Sequence, residues 1–156
     1  MRIGFGYDVH RLEEGYDLVL GGMHIPHEKG SVAHSDGDVL IHAICDALLG
    51  AANMGDIGSH FPDTDPAYKN IPSTRLLQTT MQLLNDEGYR PINIDSTICL
   101  QRPKLSSYIE KMKAHLSGLL GTSAVSVKAT TTERLGFVGR EEGIAAYAVA
   151  LIEQIA

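Results

Sequence analysis

Asp8 and His10 stand two residues apart near the start of the chain, in the run Gly-Tyr-Asp-Val-His10, and His42 follows some way downstream. One carboxylate and two imidazoles make a three-ligand set that leaves a coordination position open. Catalytic metal sites keep such a vacancy and structural ones close it. The mixed nitrogen and oxygen donors suit Zn²⁺ and could also hold Mn²⁺ or Fe²⁺, with no thiolate to sharpen the choice. The plain alternative is that the two histidines are unrelated polar residues. Asp46 weighs against it, because a carboxylate four residues beyond a helical histidine can hold the imidazole from behind.

Three further clusters carry polar chemistry. The run Ala-His-Ser-Asp-Gly-Asp38 is either an ordinary helix-capping loop or a helix N-terminus aimed at an anion, with His34 and Ser35 as added donors. Asp56-Ile57-Gly58 and Phe61-Pro62-Asp63-Thr64-Asp65 place three carboxylates beside turn residues. They are solvated turns or hydrogen-bond acceptors for a polyol. Thr130-Thr131-Thr132-Glu133 is a good strand former, or a strand end whose hydroxyls and amides hold phosphate. In the second case Glu133 can give a carboxylate to a phosphate-bound Mg²⁺. There is neither a Walker A loop nor a G-x-G-x-x-G run.

These side chains need elements to position them. Residues 2–11 alternate and predict a strand, which sets Asp8 and His10 on one face and turns Val9 into the core. Residues 17–26 predict a hairpin turning at Gly21-Gly22, and 30–38 a loop. Residues 39–52 repeat apolar positions at three- and four-residue spacing and predict a helix capped by Asp36 or Asp38, with His42 one turn in and leaning back toward the loop. A loop over 55–72 follows. Ser73 is expected to cap a helix running to about Glu87, and 91–100 predicts a strand. Ser107 and Glu110 form a capping-box pattern for a helix ending near Gly121. Residues 124–129 predict a strand. Residues 143–155 fit a buried strand or a helix, and periodicity does not decide between them. This order fits an α+β two-layer sandwich.

The composition narrows the function classes. A length of 156 residues suits one domain. A net charge of -6 argues against a broad nucleic-acid footprint, which needs a basic stripe. No apolar run reaches the ~18 residues of a membrane span, and no targeting segment is visible, so the chain reads as unprocessed from Met1. Cys45 and Cys99 form no C-x-x-C and read as buried free thiols of a reducing compartment.

Taken in order, Gly-Tyr-Asp-Val-His10, Ala-His-Ser-Asp-Gly-Asp38, His42, Gly-Asp-Ile-Gly58, Phe-Pro-Asp-Thr-Asp-Pro66, Lys-Ala-Thr-Thr-Thr-Glu133 and Gly-Phe137 closely resemble the 2-C-methyl-D-erythritol 2,4-cyclodiphosphate synthase family, over essentially the whole chain. The resemblance implies a single synthase domain over residues 1–156, with a mixed four-stranded sheet, helices on one face, a small β-hairpin, and a strand over 143 to about 153. It implies that Asp8, His10 and His42 hold a divalent ion, usually zinc. His34, Ser35, Asp56, Ile57, Gly58 and the loop Phe61, Pro62, Asp63, Thr64, Asp65 would line a methylerythritol phosphate pocket. Leu100, Lys104, Leu105 and Ser106 would frame a cytidine. Thr130, Thr131, Thr132 and Glu133 would grip its diphosphate, with Glu133 on Mg²⁺.

The implied reaction turns 4-diphosphocytidyl-2-C-methyl-D-erythritol 2-phosphate into the 2,4-cyclodiphosphate and CMP, in the non-mevalonate route to isoprenoid precursors. His34 and Thr131 would donate hydrogen bonds to charge developing in the transition state. The family assembles as a homotrimer with sites between subunits. Phe137 and Arg140 match positions near its axis, where an apolar cavity would accept an isoprenoid diphosphate. Phe5 departs from the histidine common there. The expected compartment is the bacterial cytoplasm, or the plastid stroma after loss of a transit peptide. Two rival readings are a metal-dependent phosphohydrolase, which would release inorganic phosphate, and a non-enzymatic trimer binding lipid or metal.

Overall fold

Alternating residues at the N-terminus form a strand longer than their pattern predicts. In the computed structural model, which describes residues 1–156, chain order is β1 (Arg2–Glu14), β2 (Leu18–Leu20), β3 (Met23–Ile25), β4 (Lys29–Val32), α1 (Val39–Ala51), a one-turn α2 (Ile57–His60), a 3-10 turn over Pro66–Tyr68, α3 (Ser73–Asp86), β5 (Tyr89–Cys99), α4 (Ile109–Leu120), β6 (Val125–Thr130), a one-turn α5 (Gly136–Gly139) and β7 (Gly143–Gln154). The main sheet runs β4-β1-β7-β5-β6. Its neighbours are antiparallel except β5 and β6, whose parallel pairing needs a crossover that α4 supplies. β2 and β3 pair as the separate hairpin expected from Gly21-Gly22.

The sheet therefore has five strands where four were expected. The added strand is β4, whose Lys29–Val32 pairs with the far end of β1. Its run Lys-Gly-Ser-Val carries no alternation, so nothing local marks it. Residues 143–155 resolve as strand. β7 lies between β1 and β5 and buries Ala146, Ala148, Ala150 and Ile152.

All long helices cover one face of the sheet. α1 lies over β1 and β7 and is buried almost all round, with Leu40, Ile41, Ile44 and Leu48 in the core. Asp38 is its cap, accepting the Ile41 amide at 3.1 Å. The same carboxylate accepts the Gly21 and Gly22 amides at 3.0 and 2.7 Å, so it also pins the hairpin turn to the helix. Burial pushes the Asp38 carboxyl up to about 6, against the pull of those three amides. The other expected caps do not form. Ser73 is the first residue of α3 and follows Pro72 without a side-chain cap. α4 begins after Tyr108 with no capping bond from Ser107.

Small residues set how near α1 lies to β1. A Cβ on Gly4 or Gly6 would overlap the backbone carbonyl of Ala47 or Ala43. That approach brings His42 over the strand that carries Asp8 and His10. Gly6→Ala is expected to destabilise the fold by about 1–3 kcal/mol through overpacking, and to loosen cation binding at the three side chains. Urea unfolding and metal retention after dialysis measure the two effects.

The opposite face of the sheet is uncovered. Ile3, Phe5, Tyr7, Val9, Tyr147 and Val149 are exposed there, and the Tyr7 and Tyr147 rings meet at a tilt of 43° with centroids 5.0 Å apart. Val9 is 42% exposed on this face, which corrects its expected place in the core. The helices already fill the other side, so its odd-numbered neighbours on β1 all face out. Cys45 is buried as expected and Cys99 is half-buried. No helix is long and apolar enough to cross a membrane.

Candidate active site

Strand parity and the close approach of α1 assemble the three predicted ligands. Asp8 Oδ2 lies 2.9 Å from His10 Nε2 and 3.1 Å from His42 Nδ1, and the two ring nitrogens are 3.3 Å apart. These three atoms, one from each residue, form the chain's one group of this kind suited to a metal ion. Donors around a tetrahedral zinc at about 2.0–2.1 Å lie roughly 3.3–3.4 Å apart. The triangle fits a small divalent cation with only slight opening. All three donors converge on one point.

The electrostatics favour a cation there. Burial would raise the Asp8 carboxyl, but hydrogen bonds from His10 and His42 and their charge hold it down at about 2. Burial also works against protonated His42, yet the hydrogen bond and charge of Asp8 leave its pKa raised. A folded carboxyl held below its unfolded value stabilises the fold above that value, and the gain is lost as the pH falls toward the folded one. Metal-free protein is thus expected to lose this contribution between about pH 4 and pH 2. Metal-free Asp8→Asn should show a flatter stability curve across that window, measured by urea midpoints.

The triangle forms part of the wall of a cavity of about 550 Å³. His34, Ser35, Ile57, Gly58, Phe61, Pro62, Asp63 and Thr64, which the resemblance groups around one ligand, line it. Val32, Ala33, Tyr68, Ile71 and Leu76 line it too and were not anticipated. Asp56 and Asp65 stand outside the lining. Asp56 caps α2 through the Ser59 amide and hydroxyl, and Asp65 caps the 3-10 turn through the Ala67 amide. The Asp65 carbonyl lies 3.3 Å from His34 Nε2.

A second cavity of about 280 Å³ lies across the sheet, between β5, α4 and β6. Leu100, Lys104, Leu105, Ser106, Thr130 and Thr131 line it, with Gln101, Pro103 and Ile109. Thr132 and Glu133 lie just beyond, and the Glu133 amide donates to Thr131 Oγ1 at 3.2 Å. Phe137 and Arg140 belong to neither cavity. Phe137 packs close to Gly143, and Arg140 pairs with Glu142 at 3.2 Å. The strand register sets His10 opposite Ile144, Cys99 opposite Ala145 and Thr130 opposite Cys99. Both cavities therefore open at the same end of the sheet, on strands three steps apart, about 14 Å at 4.7–4.9 Å per step.

The support of His42 differs from the expected one. Asp46 does not touch it; that carboxylate accepts the Ile57 amide at 2.8 Å and anchors the start of α2. The outer ring nitrogen of His42 instead faces Ser73 Oγ at 2.8 Å and Ser35 Oγ at 3.2 Å. The only sequence signal for Ser73 was its resemblance to a helix cap.

A one-sided α+β sandwich with an Asp/His/His group that could hold a metal ion, and a separate cavity at the strand ends, defines a candidate metal-site protein. Residues 1–153 match the model of the YgbB family. The chain is 63% identical to the 2-C-methyl-D-erythritol 2,4-cyclodiphosphate synthase of Thioalkalivibrio sulfidiphilus, covering 98% of this chain and 97% of that one. It belongs to this family of cyclodiphosphate synthases. Among solved structures, the bifunctional IspDF of Campylobacter jejuni superposes with a TM-score of 0.94 at 42% identity, over 99% of this chain and 42% of that longer one. A 2C-methyl-D-erythritol-2,4-cyclodiphosphate synthase in its CDP-bound form superposes with a TM-score of 0.90 at 39% identity, over 97% of this chain and 100% of that one.

Proposed function

We propose that residues 1–156 act as one synthase domain that cyclises 4-diphosphocytidyl-2-C-methyl-D-erythritol 2-phosphate and releases CMP, a phosphorus–oxygen lyase reaction. The observation that carries this reading is the Asp8/His10/His42 triangle in the wall of a cavity lined by the loops 34–35 and 57–64. The CDP-bound relative supports a cytidine nucleotide as the leaving half.

The substrate's own 2-phosphate is the nucleophile, so the protein needs to align and neutralise two anions more than to attack. Zinc or another divalent ion on Asp8, His10 and His42, with Mg²⁺ on Glu133, would supply the charge that offsets phosphate–phosphate repulsion. His34, Ser35, Asp56, Ile57, Gly58 and Phe61 to Asp65 would hold the methylerythritol phosphate, with Asp8 and His10 at its edge. Leu100, Lys104, Leu105 and Ser106 would frame the cytidine, and Thr130 to Glu133 the diphosphate. His34 and Thr131 would donate to charge developing on the reacting phosphate.

Two facts support a homotrimer with shared sites. The uncovered face from Ile3 to Val9 is too apolar for a free surface. The two cavities of one chain also lie on either side of β7. A neighbour's second cavity would complete each first one. Phe137 and Arg140 would lie near the axis, where an isoprenoid diphosphate would fit. Free Cys45 and Cys99 suit a reducing cytoplasm.

³¹P NMR of the cytidylylated substrate with enzyme tests the reaction. The expected spectrum shows a cyclic diphosphate and CMP, and chelator removes both. Inorganic phosphate as the product would replace this reading with a phosphohydrolase.

A further inference from the structure

We infer that Ser73 and Asp36 are positioning residues for His42: an Asp36–Ser73–His42 hydrogen-bond chain decides which ring nitrogen His42 presents to a cation. This rests on the reading of Asp8, His10 and His42 as cation ligands. His42 turns Nδ1 toward Asp8 and His10, and Nε2 toward Ser73 Oγ at 2.8 Å. A neutral imidazole that offers the Nδ1 lone pair must carry its proton on Nε2. Ser73 Oγ is then the acceptor of that proton's hydrogen bond. Its own hydroxyl hydrogen goes to Asp36 Oδ1. Asp36 Oδ2 meanwhile accepts the Ser73 amide at 2.9 Å.

The direction of this chain is fixed by its end. An ionised carboxylate only accepts, so the hydroxyl must donate to it. The hydroxyl can then only accept from the ring, and Nδ1 is left bare. Ser35 Oγ also reaches Nε2, at 3.2 Å, but it accepts the Gly37 amide at the same distance and lines the open cavity. Ser73 is fully buried and lines neither cavity. The two serines thus divide the work. Ser35 is free to turn to a bound molecule, while Ser73 keeps the ring in place. The Asp36 amide donates to Ile71 O at 3.2 Å, so the loop before α1 and the start of α3 are held together at the point where the chain passes between them.

Co²⁺ titration of the full-length protein tests this, read by visible absorption and by competition with a chelator. Wild type is expected to show the intense bands of a low-coordinate Co²⁺ site. Ser73→Ala should bind Co²⁺ about 10–100-fold more weakly, the usual cost of losing a ligand's outer partner, with altered bands. Asp36→Asn should weaken it in the same direction, and Ser35→Ala should weaken it less than either. If Ser73→Ala does not fold, Asp36→Asn decides alone. Wild-type affinity and spectrum in Ser73→Ala, or in Asp36→Asn where it decides alone, would overturn the inference while leaving the cation site standing. The same holds if Ser35→Ala shows the larger loss. Failure of the wild type to bind Co²⁺ would remove the cation reading and this one with it.

Discussion

His42→Ala is expected to leave the protein folded, nearly free of bound metal, and at least about 100-fold slower, since even an outer partner of a metal ligand is worth 10–100-fold. The remaining Asp8 and His10 offer only two donors from one strand. Two donors bind a divalent ion far less tightly than three already gathered within 3.3 Å of one another. Alanine is a strong helix former at this place in α1, so the helix should persist. The lost ring sits against Asp8, Ser73 and Ser35 and contributes little to the apolar core between sheet and helices. Metal content after dialysis, circular dichroism and turnover separate the outcomes. Wild-type metal content with wild-type turnover would remove His42 from the ligand set.

Mixing two inactive variants is expected to restore activity. His42→Ala disables the first cavity, and Thr131→Val removes a hydroxyl from the second, at a cost on the order of 10²–10³-fold for a transition-state donor. In the proposed homotrimer, each first cavity would face the second cavity of one neighbour. Any ring containing both variants then has one site with both halves intact. Random assembly at equal amounts makes three-quarters of the rings mixed, so the pool should recover about a quarter of wild-type activity. Co-refolding the two variants and assaying CMP release measures this. A pool no more active than its parents would show that one chain supplies both halves of its own site.

Much of the site was legible because its chemistry is local to short runs. The alternation of residues 2–11 put Asp8 and His10 on one face, and the helical spacing of 39–52 placed His42 one turn into α1. Both stand in the structure. The parts that were not legible are set by distant pairing. β4 has no pattern of its own and exists because β1 extends past Arg11 to pair with it. Val9 looked like a core residue because an isolated alternating strand does not say which face a helix will cover. Asp46 and Ser73 exchanged expected roles for a similar reason. Helical spacing places Asp46 near His42 in one dimension, yet the α2 amide claims it. The true partner comes from another helix and is held by Asp36 from a third segment. The last strand was ambiguous by periodicity because β7 is small and apolar on most positions, and only the resemblance assigned it.

Anomalous diffraction at the zinc edge, from crystals grown with zinc, decides whether Asp8, His10 and His42 hold an ion. One strong peak per chain is expected, within about 2.0–2.1 Å of Asp8 Oδ2, His10 Nε2 and His42 Nδ1. No peak among these three atoms at saturating zinc, or three side chains pointing apart, would contradict it.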